Sequence, residues 1–238
     1  MSIAQRIQDL RCSLPSEVSL LAISKYQPIE RLQEAYDAGQ RLFGENHIQE
    51  MAAKAATLPA DIQWHFTGHV QTNKIKYMAS FVSLIHAVDS FRLLREIDKH
   101  AARHGRVIDC LLQIHIAQED TKYGFTPDEC LNMLANEPWR ELQHVRITGL
   151  MAMGSNTDDM EQVRGEFKHI KSLFDELKEK YFSDEPSFCQ ISEGMTDDYP
   201  IAIEEGSTIV RIGSMIFGER EPHPNSPSKE GTQTLQNG

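Results

Sequence analysis

The feature that most restricts the fold of this chain is a rhythm: short apolar runs alternate with longer stretches of helical periodicity from Ser19 to Ile212. The runs Ser19–Ser24, Arg41–Gly44, Ile62–Thr67, Leu84–Ala87, Ile108–Ile116, Val145–Leu150, Ser187–Ile191 and Thr208–Ile212 read as eight strands. The first contains Leu20-Leu21-Ala22-Ile23, apolar at every position, as a strand covered on both faces requires. Between the strands lie IERLQEAYDAG, SFRLLREIDKHAARHG and MEQVRGEFKHIKSLFDELKEKYF, each with apolar residues at helical spacing. Strands joined by crossover helices pair in parallel, and eight such units with no composition break predict a closed (β/α)8 barrel of the TIM type. The amphipathic MSIAQRIQDLRCSL adds a helix before the first strand. A doubly wound dinucleotide fold would carry GxGxxG after a strand, and the sequence has none.

With 238 residues, 40% of them hydrophobic, the chain can bury one large core, so residues 1–220 are expected to form one domain. Residues 221–238, EPHPNSPSKEGTQTLQNG, are polar and rich in Pro, Ser and Gly, and are expected to form a disordered tail. The formal net charge of −11 opposes nucleic acid or an anionic membrane surface as a partner, because both would be repelled. Four cysteines, Cys12, Cys110, Cys130 and Cys189, show no CxxC and no zinc spacing. With no signal peptide and no apolar run of membrane-spanning length, the expected compartment is the cytoplasm.

In a barrel of this type the strand C-termini and following loops form the working face. There the sequence offers Ser24-Lys25, Gly44-Glu45-Asn46, His65, Gly68-His69, His86 with Asp89, His115, Met151 to Met153, Ser192 to Asp197 and Arg211 to Ser214. Lys25 ends the first strand. It is either a snorkelling or ion-paired side chain, or an amine partly withdrawn from water and able to form a Schiff base with a carbonyl. Gly213-Ser214 follow the last strand, where barrels often build a phosphate site from backbone N–H groups. Thr196 reads as the N-cap of the helix after strand seven, with a hydroxyl and a backbone donor for the same anion, or as a cap and nothing more. An aldehyde for the lysine and a phosphate for the last two loops meet in pyridoxal 5′-phosphate (PLP).

Taken together, SKYQP, FGENHIQE, WHFTGHVQTNK, HAVDS, GLMAM, ISEGMTDDYPIAI and GSTIVRIGSMIFGER resemble, in order, the motifs of the pyridoxal phosphate homeostasis proteins. These are single-domain relatives of the alanine racemase N-terminal barrel. The resemblance implies that Lys25 carries PLP as an internal aldimine, that Arg211 faces the pyridine nitrogen, and that Thr196, Gly213 and Ser214 hold the phosphate. It also places Asn46 and Met151 in motifs that line the cofactor pocket. The chain departs from the family at Glu193 and at Thr67 and His69, where the family has apolar residues, and at Thr196, where it has serine. Glu193 would set a carboxylate beside an anion site unless it points to solvent. His65 and His69 have a helical metal-ligand spacing but straddle Gly68 at a strand-to-loop junction and are not read as metal ligands; His47, His86 and His115 are read as hydrogen-bonded barrel or rim residues, and Asp197 and Asp198 as first-turn acids.

A permanently charged arginine opposite the pyridine nitrogen keeps that nitrogen unprotonated and supports carbanion chemistry poorly. The resemblance contrasts with alanine racemase, which has a second base on a C-terminal β-domain, and no such domain is expected here. The expected function is therefore a non-catalytic PLP-binding protein of intracellular vitamin B6 and amino-acid homeostasis, with PLP-dependent apo-enzymes and free amino acids as partners. Two alternatives are a weak amino-acid racemase, with Tyr26 or Tyr199 the nearest candidate bases, and a cofactor-free barrel enzyme using Lys25 as a Schiff base.

Overall fold

The computed structural model describes residues 1–116 and 123–218. Its eight parallel strands are β1 (Ser19–Ile23), β2 (Leu42–Glu45), β3 (Gln63–Phe66), β4 (Leu84–Val88), β5 (Ile108–Gln113), β6 (Val145–Met151), β7 (Gln190–Ser192) and β8 (Ile209–Ile212). They pair in chain order, and β8 closes onto β1 in the register Ser19↔Ile209 to Ala22↔Ile212. The expected closed barrel is the observed one. Two limits differ by more than one residue: β5 ends at Gln113 rather than Ile116, because the chain turns out at Ile114 to bridge Phe125, and β7 starts at Gln190 rather than Ser187. The expected tail, residues 221–238, lies outside the described residues.

The outer ring comprises α1 (Ile3–Ser13), α2 (Ile29–Asp37), α3 (Ile48–Ala55), α4 (Phe91–Ala102), α5 (Pro127–Asn136), α6 (Met160–Tyr181), α7 (Tyr199–Glu204) and α8 (Ser214–Phe217), with a 3₁₀ segment, Thr72–Tyr77, joining β3 to β4. Local chemistry sets several starts. Ser90 Oγ accepts the Leu93 N–H at the head of α4, and Thr126 with Glu129 closes a capping box on α5, where Pro127 supplies a preset φ. The expected helix before the first strand is α1. It buries Ile3, Ile7 and Leu10 against the core, and Arg6 Nη1 donates to Ile216 O at 3.3 Å beside α8.

Strand side chains alternate between two apolar layers. Leu20, Ala22, Val210 and Ile212 join the large layer under the helices, whereas Leu21, Leu84, Leu111, Met151 and Ile209 fill the barrel interior. The same alternation carries the inward face of β4 from Leu84 to His86 and that of β8 from Ile209 to Arg211. Apolar filling thus gives way to buried polar groups towards the C-terminal end of the barrel.

Candidate functional site

Lys25 leaves the end of β1 half-buried, and the backbone on either side of it is tied down. Lys54, on α3 and almost wholly buried, donates from Nζ to Ser24 O at 2.8 Å, to Glu45 Oε1 at 2.7 Å and to Glu50 Oε1 at 2.7 Å. Ser24 Oγ donates to the same Glu45 oxygen at 2.6 Å, and Glu50 Oε1 accepts the Tyr26 N–H at 2.6 Å. That last bond helps hold Tyr26 at φ +63°, the left-handed region a bulky residue rarely enters. Glu45 is fully buried with Oε2 unpartnered, and burial raises its pKa against the opposing pull of Lys54 and Ser24.

Arg211 lies in the interior, 5% exposed. Its Nη1 donates to Ser192 O at 2.6 Å and Ser192 Oγ at 2.8 Å, and Nη2 donates to Ala152 O at 2.9 Å. The Nε–H and one Nη2–H make no hydrogen bond among the described residues, so a planar donor edge remains for a ligand. Ser192 Oγ also meets His86 Nδ1 at 3.0 Å, and His86 Nε2 meets His65 Nδ1 at 3.0 Å. A guanidinium can only donate. Every member is satisfied when the Ser192 hydroxyl donates a hydrogen bond to His86 Nδ1 and His86 donates through Nε2–H to His65 Nδ1, an arrangement in which both imidazoles are neutral. Burial enforces that state, lowering His65 to about 4 and His86 well below its ordinary value, with His65 and Arg211 adding to the effect on His86.

Thr196 Oγ1 and Ser214 Oγ lie 3.0 Å apart, one from the loop after β7 and one at the start of α8. Gly213 precedes Ser214, and a Cβ there would come within 3.2 Å of Ile23 O, so this loop packs on the end of β1 next to Lys25. Two expectations need correction here, and one left open is decided. Thr196 is not the N-cap of α7: that position belongs to Asp198, because Pro200 sets the first turn two residues further on. Asp197 and Asp198 are not first-turn acids, since both precede the helix. Asp198 Oδ1 instead accepts the Met195 N–H at 2.6 Å and fixes the turn that presents Thr196. Glu193 does not point to solvent. It is fully buried with neither carboxylate oxygen hydrogen-bonded, and desolvation raises its pKa well above the usual range despite Arg211 nearby.

The remaining expected residues sit on the same barrel end. Asn46 follows β2, and its Oδ1 accepts from Thr67 Oγ1 at 2.7 Å; Met151 ends β6, packed in the interior layer. Gly68 is required where it stands, because a Cβ would fall 2.3 Å from Asn46 O. His65 turns inward to His86, whereas His69 is exposed and lies 3.6 Å from Asp89. Among the described residues no group of three or more His, Cys, Asp or Glu could hold a metal ion. Tyr26 is exposed with its hydroxyl 2.7 Å from His47 Nε2, and Tyr199 packs against the core. Lys54 was not among the sequence candidates. The Glu50–Lys54 spacing of four on a helix was its only local signal.

A lysine, an arginine edge and two hydroxyls on one barrel end match the donor set for PLP, and the relatives agree. The model of the alanine racemase N-terminal domain matches residues 1–221. A pyridoxal phosphate homeostasis protein of Aquifex aeolicus is 40% identical over 203 residues, covering 85% of this chain and 87% of the relative. This chain belongs to the pyridoxal phosphate homeostasis protein family. A Schizosaccharomyces pombe member is 35% identical over 206 residues, covering 85% of this chain and 84% of the relative. The structure of PipY from Synechococcus elongatus PCC7942 without PLP aligns with a TM-score of 0.85 at 35% identity, covering 91% of this chain and all of PipY. The PLP-bound structure of PipY aligns with a TM-score of 0.82. Alanine racemase of Clostridium difficile 630 shares the fold at a TM-score of 0.72 and 11% identity, over 93% of this chain and 57% of the racemase.

Proposed function

We propose that this chain binds PLP at the C-terminal end of the barrel and serves as a cytoplasmic, non-catalytic carrier in PLP and amino-acid homeostasis. Lys25 holds the cofactor as an aldimine, Arg211 offers its spare N–H groups to the pyridine nitrogen, and Thr196, Gly213 and Ser214 take the phosphate. Asn46 borders the pocket and Met151 forms part of its floor. Residues 1–220 form the cofactor domain, and free amino acids and PLP-dependent apo-enzymes are the partners. The observation that carries this reading is the Thr196–Ser214 hydroxyl pair beside the end of β1, on the same barrel face as the unpaired donor edge of Arg211.

The carrier reading rests on charge. An arginine donor opposite the ring nitrogen leaves that nitrogen without a proton, which weakens the electron sink that PLP supplies to enzymes. The nearest tyrosines are engaged elsewhere, Tyr26 with His47 and Tyr199 with the core. Borohydride reduction of PLP-loaded protein followed by peptide mapping tests the lysine. The pyridoxyl group is expected on Lys25 and absent from Lys25→Ala, and an adduct on another lysine refutes the assignment. α-Hydrogen exchange of L-alanine in deuterated water tests the rest: a rate far above that of free PLP, abolished in Tyr26→Phe or Tyr199→Phe, would establish an enzyme instead.

A further inference from the structure

On the side of Lys25 towards β2 and β3 lies a cavity of about 470 Å³. Its lining includes Lys25, Asn46, Gln49, His69, Gln71 and Lys74, and none of Thr196, Arg211, Gly213 or Ser214. Lys25 therefore has the phosphate loops to one side and a separate space to the other, within the size range of small-molecule sites. In a chain of net charge −11 the lining holds two lysines and two histidines and no acidic residue. The histidines are engaged: His47 with the Tyr26 hydroxyl, and His69 with Asp89 and the ring of Tyr123. Lys74, half-buried on the 3₁₀ segment, has no ion pair or side-chain hydrogen bond among the described residues. An ammonium withdrawn from part of its water with no counter-charge is poised for an anion.

We propose that this cavity is a carboxylate-recognition subsite, in which Lys74 binds the carboxylate of a small α-amino acid whose amine exchanges with Lys25. The inference deepens the reading above and rests on Lys25 carrying the cofactor. The exchange needs no oxidant or reductant. A C=N bond to the amino-acid nitrogen forms as the C=N bond to Lys25 Nζ breaks, and two protons pass from the incoming amine to the lysine. Asn46, Gln49 and Gln71 supply neutral polar groups around the anion without competing for its charge.

The test is an absorbance titration of PLP-loaded protein with L-alanine and with L-alaninol, which keeps the amine and replaces the carboxylate by a hydroxymethyl group. The wild-type protein should bind alanine at least about tenfold more tightly, as one charge-assisted hydrogen bond requires. Lys74→Met should erase that preference and leave alaninol binding, and with it evidence of an intact site, unchanged; Lys74→Arg should preserve the preference. Equal binding of the two ligands by wild type, or a preference that survives Lys74→Met, overturns the subsite. Borohydride mapping of the same PLP-loaded protein before either ligand is added separates the two readings. A pyridoxyl group on Lys25 with no carboxylate preference refutes the subsite alone, and its absence from Lys25 refutes the cofactor assignment beneath it.

Discussion

Replacing His65 by Gln should flatten the acid side of this protein's stability curve. His65 is buried and neutral, its pKa lowered to about 4 by desolvation alone, and it ends the chain of bonds running through His86 and Ser192 to Arg211. A base whose folded pKa is depressed contributes stability that is present above its unfolded pKa and lost as pH falls. In the unfolded chain a histidine protonates near pH 6.5, so between pH 7 and pH 5 the unfolded state takes up a proton that folded His65 refuses. Integrated over that window, the loss is about 2 kcal/mol. Urea unfolding of wild type and His65→Gln at both pH values measures it, with the difference of differences as the result. Glu45 and Glu193, whose raised pKa values tilt stability the other way, are present in both proteins and cancel. His86 keeps its own slope, so the variant is not flat. A pH-dependent difference below about 0.5 kcal/mol would show that His65 is not held neutral by burial and that the relay is not the polar core of this site.

The phosphate site predicts that Thr196→Ala with Ser214→Ala weakens PLP binding about a hundredfold, two charge-assisted bonds being lost, while pyridoxal binding stays within a few-fold. Fluorescence titration with both ligands reads this, and equal losses for the two would place the phosphate elsewhere. Lys54→Met strips the ammonium from buried Glu45 and should cost about 3 to 5 kcal/mol in chemical denaturation. A loss below 1 kcal/mol would mean that the cluster does not brace the Lys25 segment. Glu193 has a raised folded pKa, so its stabilising protonation is complete at acid pH and lost as pH rises through that value. Glu193→Gln should therefore gain stability over wild type at pH 8 relative to pH 5, and an advantage that does not grow with pH contradicts its burial as an unpaired acid.

The barrel and the position of its working face are legible in local sequence. Parallel strands covered on both sides must be nearly continuous apolar runs, so Ser19–Ile23 and Leu84–Val88 announce themselves without knowledge of their neighbours. Strand ends are equally local, and Lys25, Gly213 and Ser214 stand out because polarity or glycine appears where an apolar run stops, whereas the roles of Asn46, Met151 and Arg211 came from the family resemblance. How those groups are held depends on packing that no single segment carries. Thr196 carries the sequence signal of an N-cap, yet Asp198 takes that position and Thr196 turns instead to Ser214. Glu193 looks like a loop acid, and only the packing of β7 and β8 around it shows that water is excluded. His86 meets Ser192 across 106 residues, and Lys54 reaches Ser24 across 30. No local pattern encodes such pairings, because they depend on which strand ends the closed barrel brings face to face and on the cost of leaving a buried polar group without a partner.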